Sequence, residues 1–230
     1  MEKQAAVVPS KGEGGGHFLQ PTWGSGPWGA GSMSDRFAAV LPFIAGESVL
    51  DVGCASRYGK PDWIHGLLVK SFPHVVGIDN DRRIIESLRE EGYAVTWGDA
   101  QDFDLSEQFD TVFAGELVEH LDNVHGFLSS VRRHLKPGGR LVLTTPNAFY
   151  VGGFVYRWGG RGQVHPQHTC WYCEDTLRHV LRANGYPAVE IFFAGHTSPT
   201  VLRRGATKLS RLIFPPQLAL DTLIAVATAE

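Results

Sequence analysis

Two groups of side chains that can move protons occur in the sequence. They are Glu116-x-x-Glu119-His120 and His165-Pro166-Gln167-His168. Imidazoles and carboxylates are the usual general acids and bases of enzymes, and both also bind metal ions. If a helix begins at residue 116, then positions 116, 119 and 120 share one face, whereas Pro166 holds the second group outside regular structure. These residues are therefore the candidates for a reaction centre.

Two short apolar runs indicate where a cofactor would lie. Residues 49–52 lead into Gly53 and a loop that closes at Gly59, and residues 75–78 lead into Asp79. The carboxyl ends of parallel strands meet at one edge of a sheet, where ligands bind. A loop with little side-chain bulk lets a ligand approach the backbone closely. An acidic residue at the end of the second strand can accept hydrogen bonds from a ribose diol. The pattern predicts a nucleoside-bearing cofactor.

The loop does not follow the dinucleotide fingerprint Gly-x-Gly-x-x-Gly, because no middle glycine stands between Gly53 and Gly59. The chain instead resembles the class I S-adenosylmethionine-dependent methyltransferases, in particular the small-molecule branch that includes ubiquinone-type O-methyltransferases. The motifs that carry the resemblance, from residue 33 to 228, are Asp51-x-Gly53, Asp79, Gly98-Asp99-Ala100, the run 109–121, and Leu135-Lys136-Pro137-Gly138-Gly139. Ala55 departs from the pattern, since family members usually carry glycine there.

The resemblance implies S-adenosylmethionine as the cofactor and assigns roles to several positions. Asp79 would bind the ribose hydroxyls, and Asp99 the adenine amino group, with Ala100 offering a backbone N–H. Gly115 and Glu116 would lie beneath the methionine part. The full set of expected cofactor-binding residues is Asp51, Gly53, Cys54, Gly59, Asp79, Asn80, Asp99, Ala100, Gly115 and Glu116.

Three roles stay open for the proton-moving residues. Small-RNA 2′-O-methyltransferases bind a divalent metal with a similar Glu-x-x-Glu-His pattern and a later histidine. That similarity implies a site for Mg²⁺, Mn²⁺ or Zn²⁺ made of Glu116, Glu119, His120 and His168. Without a metal, His168 or His165 would act as a general base, with His120 as a further catalytic candidate. In the third interpretation these side chains only support the fold, and His120 packs under the cofactor.

The elements that position these residues follow from hydrophobic periodicity. Strands are predicted over residues 48–52, 75–79, 94–97, 109–114, 140–145, 189–193 and 222–227. Helices are predicted from residue 34 and over residues 63–69, 81–91, 118–135 and 174–183. Alternation of strands with helices indicates an α/β fold with a doubly wound, mainly parallel sheet and helices on both faces. The family resemblance adds the strand order 3-2-1-4-5-7-6.

Composition favours a single domain. At 230 residues the chain fits one methyltransferase-like domain over residues 33–230, preceded by a glycine-rich arm, residues 1–32, that could close over the site as a lid. The long connections 146–173 and 195–217 would form the acceptor side. The three cysteines do not make a disulfide framework, and there is no signal-peptide pattern or membrane-spanning run, so a cytoplasmic location is expected.

The function expected from these features is transfer of a methyl group to a hydroxyl, or as a second choice an amine, of a small molecule such as a saccharide or secondary metabolite. The first rival function is that of a metal-dependent 2′-O-methyltransferase of an RNA 3′ end. The net charge of −3 argues against a broad nucleic-acid surface. The chain could also be a non-catalytic S-adenosylmethionine-binding scaffold or a nicotinamide-dependent oxidoreductase.

Overall fold

A computed structural model describes residues 7–9, 33–158, 165–195 and 212–229. Its strands form one sheet: β1 Val7–Pro9, β2 Ser48–Val52, β3 His74–Asp79, β4 Val95–Trp97, β5 Phe109–Gly115, β6 Leu135–Pro146, β7 Ala188–Ala194 and β8 Thr222–Thr228. The order in the sheet is β1-β7-β8-β6-β5-β2-β3-β4. Strands β2 to β6 pair in parallel, whereas β8 pairs antiparallel with both β6 and β7.

The predicted α/β fold and strand order are confirmed. Without β1, the order reads 3-2-1-4-5-7-6 in the numbering of the predicted strands. Strand β1 was not predicted, and it pairs antiparallel with β7 at the sheet edge, with Val7 opposite Ala194. Most of the arm, residues 1–6 and 10–32, lies outside the described residues, so its function as a lid stays a prediction.

Helices cover both faces of the sheet, because both faces carry buried apolar side chains, and successive strand residues point to opposite faces. The helices are α1 Met33–Val40, α2 Ile64–Ser71, α3 Arg82–Glu90, α4 Val124–Arg133, α5 Val151–Trp158, α6 Glu174–Ala183 and α7 Pro216–Ala219. Leu50 belongs to the core beneath α4 and α6, whereas its neighbour Val49 belongs to the core beneath α1 and α2. None of the helices in the described ranges is long and apolar enough to cross a membrane.

The predicted helix over residues 118–135 is wrong in its first part. Val118–His120 is a single 3₁₀ turn, and α4 begins only at Val124. Asn123 separates the two, because its side chain accepts a hydrogen bond from the backbone N–H of Gly126 and caps α4. Residues 116, 119 and 120 therefore do not lie on one face of a helix.

Two other segments differ from the prediction. Residues 136–139, which stand between the predicted helix 118–135 and the predicted strand 140–145, lie within β6, where the pairing with β5 shifts register between Phe109 and Thr111. The connection 146–173 contains α5, which begins with Val151 and the Gly152-Gly153 pair. Glycine disfavours helix interiors, so local propensity gives no signal for α5.

Candidate active site

The carboxyl ends of β2 and β3 are tied together by backbone hydrogen bonds. The N–H groups of Gly53 and Cys54 both donate to the carbonyl of Ile78, at 2.8 and 3.2 Å. The backbone of Gly53 has a φ of 90°, a left-handed conformation that glycine adopts without strain. Ala55 is not among the described non-glycine residues of positive φ, so its methyl group fits this turn. The first loop is thus fixed to the carboxyl end of β3.

Asp79 fixes the geometry of this tip. Its Oδ2 accepts the backbone N–H of Ala55 at 2.9 Å, and its Oδ1 accepts the N–H of Asp81 at the same distance. The side chain is half-buried, and each oxygen keeps a second lone pair. Asp99 is exposed and uses Oδ1 to accept the N–H of Gln101. Both carboxylates keep acceptor capacity at the edge where the sequence predicts a cofactor.

Two of the expected cofactor residues have their side chains inside the fold. Asp51 is buried and lies 3.0 Å from Nδ1 of His65, which is also buried. Cys54 packs in the space left by the missing side chain of Gly77. Burial, and then the charges of Asp51 and Asp79, raise the pKa of the Cys54 thiol, so the thiol stays protonated. These two residues support the loop from below rather than offering side chains to a ligand.

Glu116 directly follows β5 and pairs with a residue of helix α1. Its φ of 52° is left-handed, and its N–H donates to the carbonyl of Thr144. Its carboxylate lies 3.4 Å from the guanidinium of Arg36 on α1. Leu117 faces the first loop, since a Cβ placed on Gly53 would lie 3.6 Å from it. The turn after β5 therefore lines the same space as the loop after β2.

Glu119 is directed into the protein. Its side chain is buried, and Oε2 accepts a hydrogen bond from the Thr145 hydroxyl at 2.8 Å. Burial, and then the charge of Glu116, raise the pKa of Glu119 to about 7. Oε1 of Glu116 and Oε1 of Glu119 are buried without a hydrogen-bond partner in the part of the chain that the structure describes.

His120, His165 and His168 form a compact group, called here the histidine cluster. The ring centroids of His120 lie 5.5 Å from His165 and 4.6 Å from His168, and His165 and His168 are 5.4 Å apart. One ligand atom from each residue lies within 4.8 Å of the others. Burial, and then His120 and His165, lower the pKa of His168. A neutral imidazole can accept a proton or bind a metal.

Backbone contacts hold the two halves of this cluster together. Nδ1 of His120 lies 3.2 Å from the carbonyl of Gln167. The Thr169 N–H donates to the carbonyl of Glu119, and the Thr169 hydroxyl donates to the carbonyls of Glu119 and Leu121. The loop that carries His165 and His168 is therefore bound directly to the 3₁₀ turn that carries His120.

A cavity of about 470 Å³ opens beside the cluster. Its lining includes Arg36, Glu116, Tyr150, Phe154, Trp171 and Asp221. Trp171 connects it to the cluster, since its ring centroid is 6.0 Å from that of His168. The volume is in the range of small-molecule sites.

Asn147 also lines this cavity, but its side chain is engaged elsewhere. Its amide donates to the carbonyls of Gln217 and Leu220 and accepts the N–H of Phe149. Asn147 therefore joins α7 to the end of β6. Arg36 and Asp221 were not predicted as site residues, because nothing in their local sequence indicates that α1 and the segment before β8 reach the end of β5.

The structure groups the predicted metal ligands differently from the sequence pattern. His120 and His168 meet as expected, but the described residue that joins them is His165, predicted only as a base. Glu116 and Glu119 lie close enough to interact with each other, yet their described contacts are with Arg36 and Thr145. The four-ligand set stays a prediction, as do the catalytic and cofactor assignments.

Comparisons with known proteins agree with this architecture. The family model of the methyltransferase domain matches residues 28–191. The ubiquinone biosynthesis O-methyltransferase of Nitrobacter winogradskyi is 32% identical over 176 residues, which are 68% of this chain and 62% of that protein. The 27-O-demethylrifamycin SV methyltransferase of Amycolatopsis mediterranei is 28% identical over 120 residues, 48% of this chain and 43% of that protein. The chain thus spans less than two thirds of these curated relatives.

Solved structures share the fold. A SAM-dependent methyltransferase from Archaeoglobus fulgidus superimposes with a TM-score of 0.58 at 23% identity, covering 86% of this chain and 95% of that one. At this identity the similarity concerns the fold alone.

Proposed function

This chain belongs to the class I S-adenosylmethionine-dependent methyltransferases, and we propose that it transfers the methyl group of S-adenosylmethionine to a hydroxyl oxygen of a small molecule. One observation carries the proposal. The cavity is lined by Glu116, which follows β5 next to the predicted cofactor site, and by Trp171, which contacts His168 of the histidine cluster. An acceptor in this cavity would lie between the methyl donor and the histidine cluster.

The cofactor would occupy the edge formed by the first loop and Asp79. The two oxygens of Asp79 would accept hydrogen bonds from the ribose hydroxyls, beside the backbone groups that they already bind. Asp99 and the N–H of Ala100 would contact the adenine. Gly115 would pass beneath the methionine part; a side chain is not tolerated there, because a Cβ at this position would lie 2.9 Å from the ring of Phe113.

The reaction needs alignment, exclusion of water and the removal of one proton. The acceptor oxygen attacks the methyl carbon, a C–O bond forms, and the C–S bond breaks. Its electron pair stays on sulfur and gives S-adenosylhomocysteine. His168 would take the hydroxyl proton in the metal-free protein, because its lowered pKa keeps the imidazole neutral near pH 7.

The cavity lining supports a ring-bearing acceptor. Tyr150, Phe154 and Trp171 offer aromatic surface, and Arg36, Glu116 and Asp221 offer polar groups. The relatives above are named as O-methyltransferases of ubiquinone biosynthesis and of a rifamycin. A hydroxylated ring, saccharide or secondary metabolite fits these features better than a long nucleic acid.

The proposal is tested by titration calorimetry and by mass spectrometry. We expect S-adenosylhomocysteine to bind and NADH not to bind, and we expect incubation with S-adenosylmethionine and a panel of hydroxylated rings to add about 14 mass units, the replacement of H by CH₃. Binding of NADH alone would replace the proposal by an oxidoreductase. Cofactor binding with no transfer to any hydroxyl, amine or RNA would favour a non-catalytic scaffold.

A second candidate function, RNA 2′-O-methylation, receives support from one observation: one carboxylate oxygen of Glu116 and one of Glu119 are buried without a hydrogen-bond partner among the described residues. It predicts methylation of RNA 3′ ends that is lost in chelator and restored by Mg²⁺ or Mn²⁺. Transfer to small hydroxylated rings with no transfer to RNA would exclude it.

A further inference from the structure

We infer that the histidine cluster, His120, His165 and His168, is a three-imidazole site for a divalent transition metal ion of the Zn²⁺ class. This site differs from the oxygen-rich set predicted from the sequence, because His165 replaces the two glutamates. The inference concerns metal binding and does not rest on the proposed reaction.

The spacing of the rings fits one ion. Zn–N bonds of about 2.0–2.1 Å place the centroids of three imidazoles on a tetrahedral ion about 5 Å apart. The three observed separations, 5.5, 4.6 and 5.4 Å, are distributed around that value. The potential ligand atoms lie within 4.8 Å of one another, so small side-chain rotations would bring all three within bonding distance of one ion.

A contact with the backbone indicates which nitrogen of His120 would bind the ion. Nδ1 of this ring lies 3.2 Å from the carbonyl of Gln167, which favours a proton on Nδ1 and leaves Nε2 free as an acceptor. A ring N–H donated to a backbone carbonyl is the usual support of a metal-binding histidine. Nδ1 of His165 is 3.4 Å from the N–H of Gln167, a contact at the limit of hydrogen bonding, so either nitrogen of that ring can bind.

The cluster is also held in place without a metal. Thr169 fixes the loop of His165 and His168 to the carbonyls of Glu119 and Leu121. His165 and His168 in the loop and His120 in the turn are therefore held in position by the fold. This lowers the conformational entropy that is lost when a metal ion binds.

The donor set indicates the class of ion. Imidazole nitrogens suit Zn²⁺, Cu²⁺, Ni²⁺ and Fe²⁺, whereas Mg²⁺ and Ca²⁺ prefer oxygen ligands. The carboxylate of Glu119 contacts Thr145, and the carboxylate of Glu116 contacts Arg36. Among the described residues, neither carboxylate has a hydrogen bond to the three imidazole rings. A nitrogen-only set therefore favours a transition metal over Mg²⁺.

Three protein ligands leave one position of a tetrahedral ion open. Trp171 contacts His168 and lines the cavity, so an oxygen donor in the cavity is the class of ligand expected at that position. An ion held by His120, His165 and His168 would lower the pKa of an acceptor hydroxyl bound at that position, and His168 would then be a ligand rather than the base.

The test measures metal binding alone. The full chain, stripped with a chelator, is titrated with Zn²⁺ by calorimetry and with Co²⁺ by visible absorption. We expect one ion per chain and Co²⁺ bands typical of four-coordinate nitrogen and oxygen ligands. His165→Ala should weaken binding by at least about 10-fold, since even outer-shell changes at metal sites cost about 10–100-fold. His165 is exposed, so this variant should fold.

Two variants make the test decisive. Glu119→Gln should bind Zn²⁺ within about threefold of the unmodified chain, because Gln keeps the size of Glu119 and its bond to Thr145. His74 is an exposed histidine at the amino end of β3, whereas the histidine cluster lies beyond the carboxyl ends of the strands. His74→Ala should therefore leave Zn²⁺ binding unchanged. Absence of binding, wild-type affinity in His165→Ala, an equal loss in Glu119→Gln, or a Co²⁺–thiolate band from Cys170 or Cys173 would each overturn the inference.

Discussion

Asp79 provides the sharpest test of the cofactor edge. Asp79→Ala removes the acceptor of two backbone N–H groups, those of Ala55 in the first loop and Asp81 before α3, both at 2.9 Å. Hydrogen bonds to a charged group contribute about 1.5–3 kcal/mol each, and partial exposure places these at the lower end. If the carboxylate also binds the ribose, affinity for S-adenosylhomocysteine should fall by about 1–3 kcal/mol, or about 5–150-fold.

Loss of affinity must be separated from loss of stability. Asp81→Ala is the matched control, because the Asp81 side chain caps α3 through the N–H groups of Arg83 and Ile84. Removing this cap should lower the free energy of unfolding by about 1 kcal/mol and leave cofactor affinity unchanged. Calorimetric titration with S-adenosylhomocysteine and urea denaturation of both variants measure the two effects. Equal cofactor affinity in Asp79→Ala and in the unmodified chain would refute a role for Asp79 in the site.

Three further predictions concern the base, the core and pH. His168→Ala should lower methyl-transfer turnover by about 10²-fold or more with cofactor affinity unchanged, as single-turnover kinetics would show; wild-type turnover would exclude His168. Tyr186→Phe should lower the free energy of unfolding in urea by about 1 kcal/mol, since the buried hydroxyl donates to the Leu128 carbonyl at 3.0 Å; an unchanged midpoint contradicts this. Hydrogen bonds from Ser48 and then Lys136 hold the pKa of Asp110 below its usual range. Its stabilisation is therefore present above about pH 4 and lost as pH falls further, so urea denaturation of Asp110→Asn should show a shallower acid dependence; parallel curves would refute it.

The sheet could be predicted because each strand has a local signal. Buried parallel strands read as continuous apolar runs, and all five residues of β2 are buried. The helix α3 was equally clear, since Asp81 stands at its start and Ile85 and Leu88 are buried on one face. Strand β1 had no such signal, because three residues at a sheet edge are too few for a periodic pattern.

The turn after β5 was mispredicted because its structure depends on distant contacts. The apolar residues of 118–135 have helical spacing, which favours one long helix. The Asn123 cap was the local signal that could have divided it, since asparagine is a preferred N-cap residue. The rest of the turn is set by bonds to Thr144, Thr145 and Thr169, which the local pattern cannot reveal.

Which residues form the histidine cluster also depends on contacts between residues far apart in the sequence. The sequence pattern groups Glu116, Glu119 and His120 because they are neighbours along the chain. In the structure the backbone of Glu116 is left-handed, and its carboxylate faces Arg36 rather than His120. His165 joins the cluster through a loop whose position depends on hydrogen bonds over a large sequence separation.

Glu119 connects the two sides of the site. Its carboxylate binds Thr145 at the end of β6, whereas its backbone carbonyl accepts hydrogen bonds from Thr169 in the histidine loop. A change in the charge of this buried side chain acts on the end of β6, and a change in its backbone acts on the position of His168. Because the raised pKa of about 7 results from burial and from Glu116, removing the charge of Glu116 should favour the ionised form of Glu119. Glu119 therefore joins the end of β6 to the loop that carries His165 and His168.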